Sequence, residues 1–159
     1  MGSGSGRDAA LMRTAHELGA AIAEAGWVLL NGGRATGVME ASARGASEAG
    51  GLVIGVLPDG DRRSASPYLD VAIRTGMGDA RNIINVLSSD VVIALRGGAG
   101  TLSEVALALG AGKTVIALDL DPGTGFREWR ESGRLLGATT VADAVAAAHE
   151  VLERTDDDG

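Results

Sequence analysis

Short apolar segments alternate with amphipathic segments along this chain, and no other feature restricts its fold as strongly. The apolar segments are rich in Val, Ile and Leu and are short enough to be buried strands. The segments between them repeat apolar residues at three and four positions, which is typical of helices packed on a sheet. Strands are predicted at residues 27–31, 52–57, 70–73, 91–95 and 114–120, with a shorter one near 135–140. Helices are predicted at residues 7–26, 36–51, 78–89, 101–113 and 141–153, with one helical turn near 126–129.

This alternation predicts a parallel sheet, because each return to a parallel strand needs a crossover, and the crossover is normally a helix. Near-continuous apolar strands further indicate that helices cover both faces. We therefore expect an α/β fold with a doubly wound, mostly parallel sheet. The chain of 159 residues fits one domain, residues 1–155, followed by a disordered tail at 156–159. The chain starts inside a glycine-rich segment where such a fold has its first strand, so that strand is expected to be missing.

Glycines cluster where predicted strands end. Gly32 and Gly33 follow one strand, and Gly97, Gly98 and Gly100 follow another. In a parallel sheet these loops lie at the same edge, outside the carboxyl ends of the strands, where ligands bind. Glycine lets the backbone approach a ligand, and a helix start presents N–H groups that attract an anion. The pattern predicts a pocket for a phosphate-bearing ligand. A third loop of this kind is predicted from Gly2, Gly4 and Gly6.

Several classes of function are disfavoured. Neither the dinucleotide-binding spacing G-x-G-x-x-G nor the P-loop spacing G-x-x-x-x-G-K-[ST] occurs, which argues against hydride transfer and Walker-type ATP hydrolysis. The net charge of −7 argues against nucleic-acid and anionic-membrane partners. With no cysteine, and with His16 and His149 isolated on predicted helices, no metal site is expected. A cytoplasmic location is the expectation.

Three blocks of the sequence resemble a known superfamily. "GGRATGVMEASARGASEAGGLVIGVLP", "TGMGDARNIINVLSSDVVIAL" and "GGAGTLSEVALAL" resemble the lysine-decarboxylase-like (LOG) proteins, and within them the molybdenum cofactor carrier-like branch. The match spans about residues 7–120, and the blocks occur in the family order. The resemblance implies a Rossmann-like nucleotide- or cofactor-binding domain.

The LOG superfamily includes phosphoribohydrolases, which cleave the N-glycosidic bond of nucleoside 5′-monophosphates without a catalytic cofactor. Their signature is similar to P-G-G-x-G-T-x-x-E with an arginine upstream, which carries over to Glu104 and Arg81 as catalytic residues. A carboxylate can stabilise an oxocarbenium-like ribose, and a guanidinium can hold phosphate or a leaving base. This chain departs from the signature in two places. Arg96 stands where the first proline is expected, and Asn82 stands where those enzymes usually have lysine.

The molybdenum cofactor carriers bind a pterin with a terminal phosphate. The three blocks quoted above look closer to these carriers than to the hydrolases. On that reading Arg34 and Arg96 are cationic anchors beside the glycine loops, while Glu40 faces the site or caps its own helix. The ligand is then the molybdenum cofactor, or else a nucleoside monophosphate; the hydrolase stays open as the alternative. The predicted binding residues are Gly32, Gly33, Arg34, Glu40, Asn82, Arg96, Gly97, Gly98, Gly100 and Thr101.

The predicted helices "ARNIINVLSSD" and "TLSEVALALGAGK" carry more apolar surface than one sheet face requires. Members of the superfamily form dimers or tetramers. A homodimer or homotetramer is therefore expected, with a helical interface close to the pocket.

Overall fold

The computed structural model describes the backbone of residues 8–157 and the side chains of residues 8–154. In that range the helices are α1 (Ala9–Glu24), α2 (Gly37–Glu48), α3 (Asn82–Leu87), α4 (Ala99–Gly110), α5 (Arg127–Glu131) and α6 (Val141–Asp157). The strands are β1 (Leu29–Asn31), β2 (Val53–Leu57), β3 (Val71–Arg74), β4 (Val92–Leu95), β5 (Val115–Leu118) and β6 (Leu135–Ala138). Each predicted strand and helix is present.

The described strands form two parallel three-stranded sheets, in the orders β1-β2-β3 and β4-β5-β6. One hydrophobic cluster joins both sheets to α1 and α6, since it includes Leu29 of β1, Leu95 of β4, Ala15 of α1 and Ala144 of α6. A second cluster packs α3 and α4 against β4, β5 and β6. The predicted α/β class, with parallel strands and flanking helices, is confirmed.

Residues 1–7 lie outside the described residues. The prediction of a missing first strand and that of a third glycine loop at Gly2, Gly4 and Gly6 both rest on this segment, and both stay predictions. The predicted tail at 156–159 lies partly outside as well, and α6 continues to Asp157.

Two helix boundaries differ from the prediction. The third predicted helix is a 3-10 turn (Gly78–Arg81) that continues directly into the short α3, and Gly78, where the turn begins, has φ +56°. Helix α4 begins at Ala99, ahead of Thr101, with Gly98 as its N-cap in an extended conformation. Two of the predicted loop glycines therefore flank or belong to the first turn of α4.

Helices α1 and α2 cross so closely that each contributes a glycine at the contact. A Cβ on Gly19 would lie 2.0 Å from the Ser42 carbonyl oxygen, and a Cβ on Gly45 would lie 2.0 Å from the His16 carbonyl oxygen. Both neighbours are helix backbone and cannot rotate away as a side chain would. This crossing fixes where α2 lies, and therefore where its first turn meets the glycine loop after β1.

We predict that Gly45→Ala destabilises the protein by about 1–3 kcal/mol, the usual cost of overpacking a close contact. The matched control is Gly110→Ala, because Gly110 is also helical but has open space where its Cβ would lie. The control should gain about 0.5–1 kcal/mol from better helix propensity. Urea unfolding of the two variants measures the difference. Equal stabilities would show that the crossing can relax.

Candidate functional site

The loop between β1 and α2 is held by Asn31, the last residue of β1. The Asn31 Oδ1 accepts a hydrogen bond from the Gly33 N–H at 2.8 Å, and its Nδ2 donates to the Met39 carbonyl oxygen at 3.0 Å and to the Ser42 Oγ at 3.2 Å. One amide therefore ties the loop to the helix that follows it. The sequence analysis missed Asn31, although an Asn directly before two glycines is a known turn-forming signal.

Gly33 is required by both conformation and space. Its φ is +71°, and a Cβ there would lie 2.9 Å from Leu57 Cδ2 and 3.0 Å from Gly55 Cα. The loop is also hydrogen-bonded to the segment after β2: the Ala35 N–H donates to the Ser64 carbonyl at 2.9 Å, and the Ser66 N–H donates to the Gly33 carbonyl at 2.8 Å. These hydrogen bonds fix the position of the loop at the carboxyl end of the sheet.

Arg34 is not a free cation. Its Nη2 lies 3.4 Å from both carboxylate oxygens of Asp59, and the Ser64 hydroxyl donates to Asp59 at 2.6 Å. Arg34 and Asp59 are both half-exposed. Arg34 as a cationic anchor stays a prediction, and the structure adds that its charge already has a counter-charge, Asp59, which the sequence does not indicate.

Arg81 is the buried cation of the site, with 7% of its surface exposed. A Cβ on Gly32 would lie 2.5 Å and 2.6 Å from the two terminal guanidinium nitrogens of Arg81, and 2.6 Å from the Met39 Sδ. The guanidinium therefore lies directly against the backbone of Gly32, where only a glycine leaves room. Within residues 8–154, no carboxylate forms an ion pair with Arg81 within 4.0 Å. Burial lowers the pKa of Arg81, and the charge of Glu104 opposes that change.

Glu104 lies on α4, one turn after its start, and helices α3 and α4 pack together. Burial raises the pKa of the Glu104 carboxyl, and the positive charge of Arg81 lowers it in part. The two residues of the predicted catalytic pair therefore influence each other's pKa, but they form no ion pair within 4.0 Å.

Among the described residues, the start of α4 has no side-chain cap. Gly98 is its N-cap, no side chain of residues 8–154 accepts a hydrogen bond there, and Gly98, Ala99 and Gly100 are exposed. The first N–H groups of a helix have no acceptor within the helix, so those of α4 are left without a partner in the described residues. The side chain of Thr101 points inward, since this residue is only 3% exposed.

Helix α1 presents a contrasting start. The Asp8 carboxylate accepts hydrogen bonds from the Ala10 and Leu11 N–H groups, both at 3.1 Å, and so occupies the position an anion would take. Arg96 donates to the other oxygen of the same carboxylate. The Leu11 N–H and the Arg96 guanidinium both hold the pKa of Asp8 below its usual value. Like Arg34, Arg96 is a paired cation, and its role as an anchor stays a prediction.

Five buried side-chain atoms of the described residues have no hydrogen-bond partner. They are Arg34 Nε, Glu40 Oε2, Arg81 Nε, Asn82 Oδ1 and Asn85 Oδ1. Buried polar groups are nearly always paired, so a group of orphans marks a place where something else bonds. Four of the five belong to residues that the sequence analysis assigned to the site. The fifth is Asn85, which is 5% exposed: that burial is typical of a packing residue, whereas an unpaired oxygen is not.

No group of three or more His, Asp or Glu residues that could hold a metal ion occurs in the part of the chain that the structure describes. His16 instead bonds to Glu48 at 2.7 Å, and His149 lies 3.3 Å from Glu153. None of the described helices is long and apolar enough to cross a membrane.

Parallel strands, flanking helices and glycine loops at the carboxyl ends of the strands together define a Rossmann-like α/β protein. The family follows from comparison with known sequences. The chain belongs to the SLOG cluster4 family, whose model matches residues 1–148. This confirms the resemblance to LOG-like proteins.

Relatives of two kinds are found. The chain is 51% identical over 106 residues to an uncharacterized protein from Archaeoglobus fulgidus, covering 67% of this chain and 69% of that one. It is 40% identical over 99 residues to a cytokinin riboside 5′-monophosphate phosphoribohydrolase from Mycobacterium tuberculosis, covering 61% of this chain and 53% of the enzyme. The chain thus spans about half of that enzyme.

The solved structures that match over nearly the whole chain include molybdenum cofactor proteins. A molybdenum cofactor binding protein from Rippkaea orientalis is 44% identical with a TM-score of 0.89, covering 96% of this chain and 94% of that one. The molybdenum cofactor carrier protein from Chlamydomonas reinhardtii is 44% identical with a TM-score of 0.87, covering 97% of this chain and 95% of that one. The Rossmann-like class is confirmed by these neighbours.

We predict that Gly32→Ala weakens ligand binding without unfolding the protein. The new Cβ would displace the ends of two flexible side chains, Arg81 and Met39, and this costs little stability but moves the guanidinium. Gly60→Ala is the matched control, since a Cβ there meets nothing within 4 Å. Calorimetric titration with AMP, beside urea unfolding, separates the two effects. Unchanged affinity in Gly32→Ala would exclude Arg81 from the binding site.

Proposed function

We propose that this chain is a binding protein for a phosphorylated, pterin-like or nucleotide-like ligand, of the molybdenum cofactor carrier type. The observation that carries the proposal is the uncapped start of α4, which lies in the same region as the buried Arg81. A helix start of this kind binds phosphate through its free N–H groups and its dipole. The two carrier-type structures, similar over nearly the full chain, support the ligand class.

The phosphate in this proposal is bound by the N–H groups of Ala99, Gly100 and Thr101. Gly98 and Gly100 have open space around them, so a phosphate can reach the backbone. Arg81 supplies a buried positive charge, and a buried guanidinium without an ion-pair partner gains most from an anionic ligand.

The remainder of the ligand would meet the orphan polar atoms. Arg34 and Arg81 offer N–H donors, whereas Glu40, Asn82 and Asn85 offer acceptor oxygens. Such a mixture suits a heterocycle that carries both carbonyl oxygens and N–H groups at its edge, and a pterin or a nucleobase has both. These five unpaired atoms therefore support a heterocyclic phosphate as the ligand more than a simple phosphate or a sugar phosphate.

The alternative function is phosphoribohydrolase activity on a nucleoside 5′-monophosphate. It is favoured by one specific feature: Arg81 and Glu104, which match the hydrolase signature, lie near enough for each charge to oppose the effect of burial on the other's pKa. Against it stand Arg96 and Asn82 at two positions of the enzymes' pattern. Arg96 is moreover engaged by Asp8.

The deciding experiment combines native mass spectrometry of co-purified ligands with an assay for ribose 5-phosphate release from AMP. For a carrier we expect a bound phosphorylated heterocycle and no turnover. Glu104→Gln should then leave affinity equal or higher, because a carboxylate close to phosphate is repulsive. Gly100→Val should abolish binding while the fold stays intact, because it places a side chain in the open space at the start of α4.

The hydrolase makes the opposite prediction for the same variant. Removing an electrostatic contact of the transition state costs about 10²–10³-fold in rate. Turnover of AMP by the wild type that falls by this factor in Glu104→Gln, with binding retained, would overturn the carrier proposal.

We also propose a homo-oligomer, with α3 and α4 at the interface. Leu87, at the end of α3, is 60% exposed, and Ala106 on α4 is exposed as well. Leu87→Glu should lower the molecular mass measured by light scattering at micromolar concentration. The control is Leu52→Glu, which changes a residue 46% exposed directly before β2, at the amino end of the strand. A wild-type monomer would refute the proposal.

A further inference from the structure

The ion pair between Asp8 and Arg96 joins two elements that both lie at the binding edge of the sheet. Asp8 caps the start of α1, and Arg96 is two residues before Gly98, the N-cap of α4. The pair therefore places the carboxylate of one helix start next to the loop that leads into the other. A phosphate bound at α4 would lie beside both charges.

We propose that Asp8 competes with the phosphate of the ligand for Arg96 and thereby sets the affinity of the site. This inference rests on the proposed function, since it needs a phosphorylated ligand at the start of α4. Asp8 presents to Arg96 the same chemistry as a phosphate: an anionic oxygen that accepts a charge-assisted hydrogen bond.

The partial exposure of the two side chains makes such an exchange feasible. Arg96 and Asp8 are 52% and 42% exposed in their side chains. Exposed ion pairs contribute little to stability, and water can replace either partner. Arg96 is followed by Gly97 and Gly98, so few side chains restrict the movement of its guanidinium toward α4.

The exchange would leave α1 intact. Asp8 retains its two backbone hydrogen bonds from Ala10 and Leu11 when Arg96 turns away, because those bonds are made by its Oδ1 whereas Arg96 bonds to its Oδ2. The Asp8 carboxylate therefore has two roles: it caps α1, and it forms the ion pair with Arg96. A substitution can remove the second role and keep the first.

Asp8→Asn separates them, since Asn caps a helix about as well as Asp but carries no charge. Released from Asp8, Arg96 becomes available to the ligand at no cost. We expect Asp8→Asn to bind AMP and inorganic phosphate about two- to five-fold more tightly than the wild type, the range set by an exposed ion pair. Unfolding midpoints of the two proteins should agree.

Two further variants identify the cause. Asp143→Asn removes the same charge from another capping carboxylate, which accepts hydrogen bonds from the Thr140 N–H and the Thr139 hydroxyl at the start of α6. It should leave affinity unchanged. In the background of Arg96→Ala, Asp8→Asn should have no effect on affinity, because the residue for which Asp8 competes is gone.

The outcomes are distinct. An affinity gain that persists in the Arg96→Ala background would show simple repulsion between Asp8 and phosphate, and would overturn the competition. Equal affinities of Asp8→Asn and wild type would overturn it as well, while the proposed function stands. If neither the wild type nor Asp8→Asn binds a phosphorylated ligand, and no such ligand co-purifies with them, the proposed function fails together with the inference.

Discussion

The contact on which the site depends is the one between the Arg81 guanidinium and the backbone of Gly32. A guanidinium can lie this close to a peptide only where there is no side chain, so Gly32 sets the position of the Arg81 guanidinium in addition to forming a turn. The position of Gly32 is in turn set by Asn31, which bonds to both the loop and α2. Helix α2 is held by its glycine-mediated crossing with α1. The position of the buried Arg81 charge therefore depends, through Asn31 and Gly32, on the backbone contact between α1 and α2.

The three arginines of the site differ in what surrounds them, and this difference assigns their roles. Arg34 and Arg96 are half-exposed and paired with Asp59 and Asp8, so each already has a counter-charge that a ligand must share or replace. Arg81 is buried and has no such pair in the described residues. Desolvation makes its unshared charge costly, which is why an anionic ligand at this position gains more than one at the surface. We therefore expect Arg81 to contribute most of the affinity for an anionic ligand, and Arg34 and Arg96 to adjust that affinity.

The sequence predicts much of this architecture because the relevant signals are local. Alternating apolar and amphipathic segments locate every described strand, and glycines after β1 and β4 locate both loops. What it does not predict depends on residues distant in the chain: Asp59 is 25 positions from Arg34, and Asp8 is 88 positions from Arg96. No local pattern identifies these pairs, because they exist only once the carboxyl ends of the strands lie together. The 3-10 turn before α3 is not predicted either, because four residues are too few to distinguish a 3-10 turn from an α-helical one by periodicity.

The carrier and the hydrolase interpretations share the buried pair, so that pair cannot distinguish them. The difference lies in the loop before α4. A proline at the start of the hydrolase signature has a fixed φ and no charge, which makes for a rigid and electrically neutral approach to the phosphate. Arg96 at that position adds a mobile charge and, through Asp8, an electrostatic link to the start of α1. On the carrier proposal, this departure would change how a phosphate is held and released, while Glu104, the carboxylate that would act on the sugar in a hydrolase, is retained. A carrier of a phosphorylated cofactor would need control over binding and release and would have no need of the sugar chemistry.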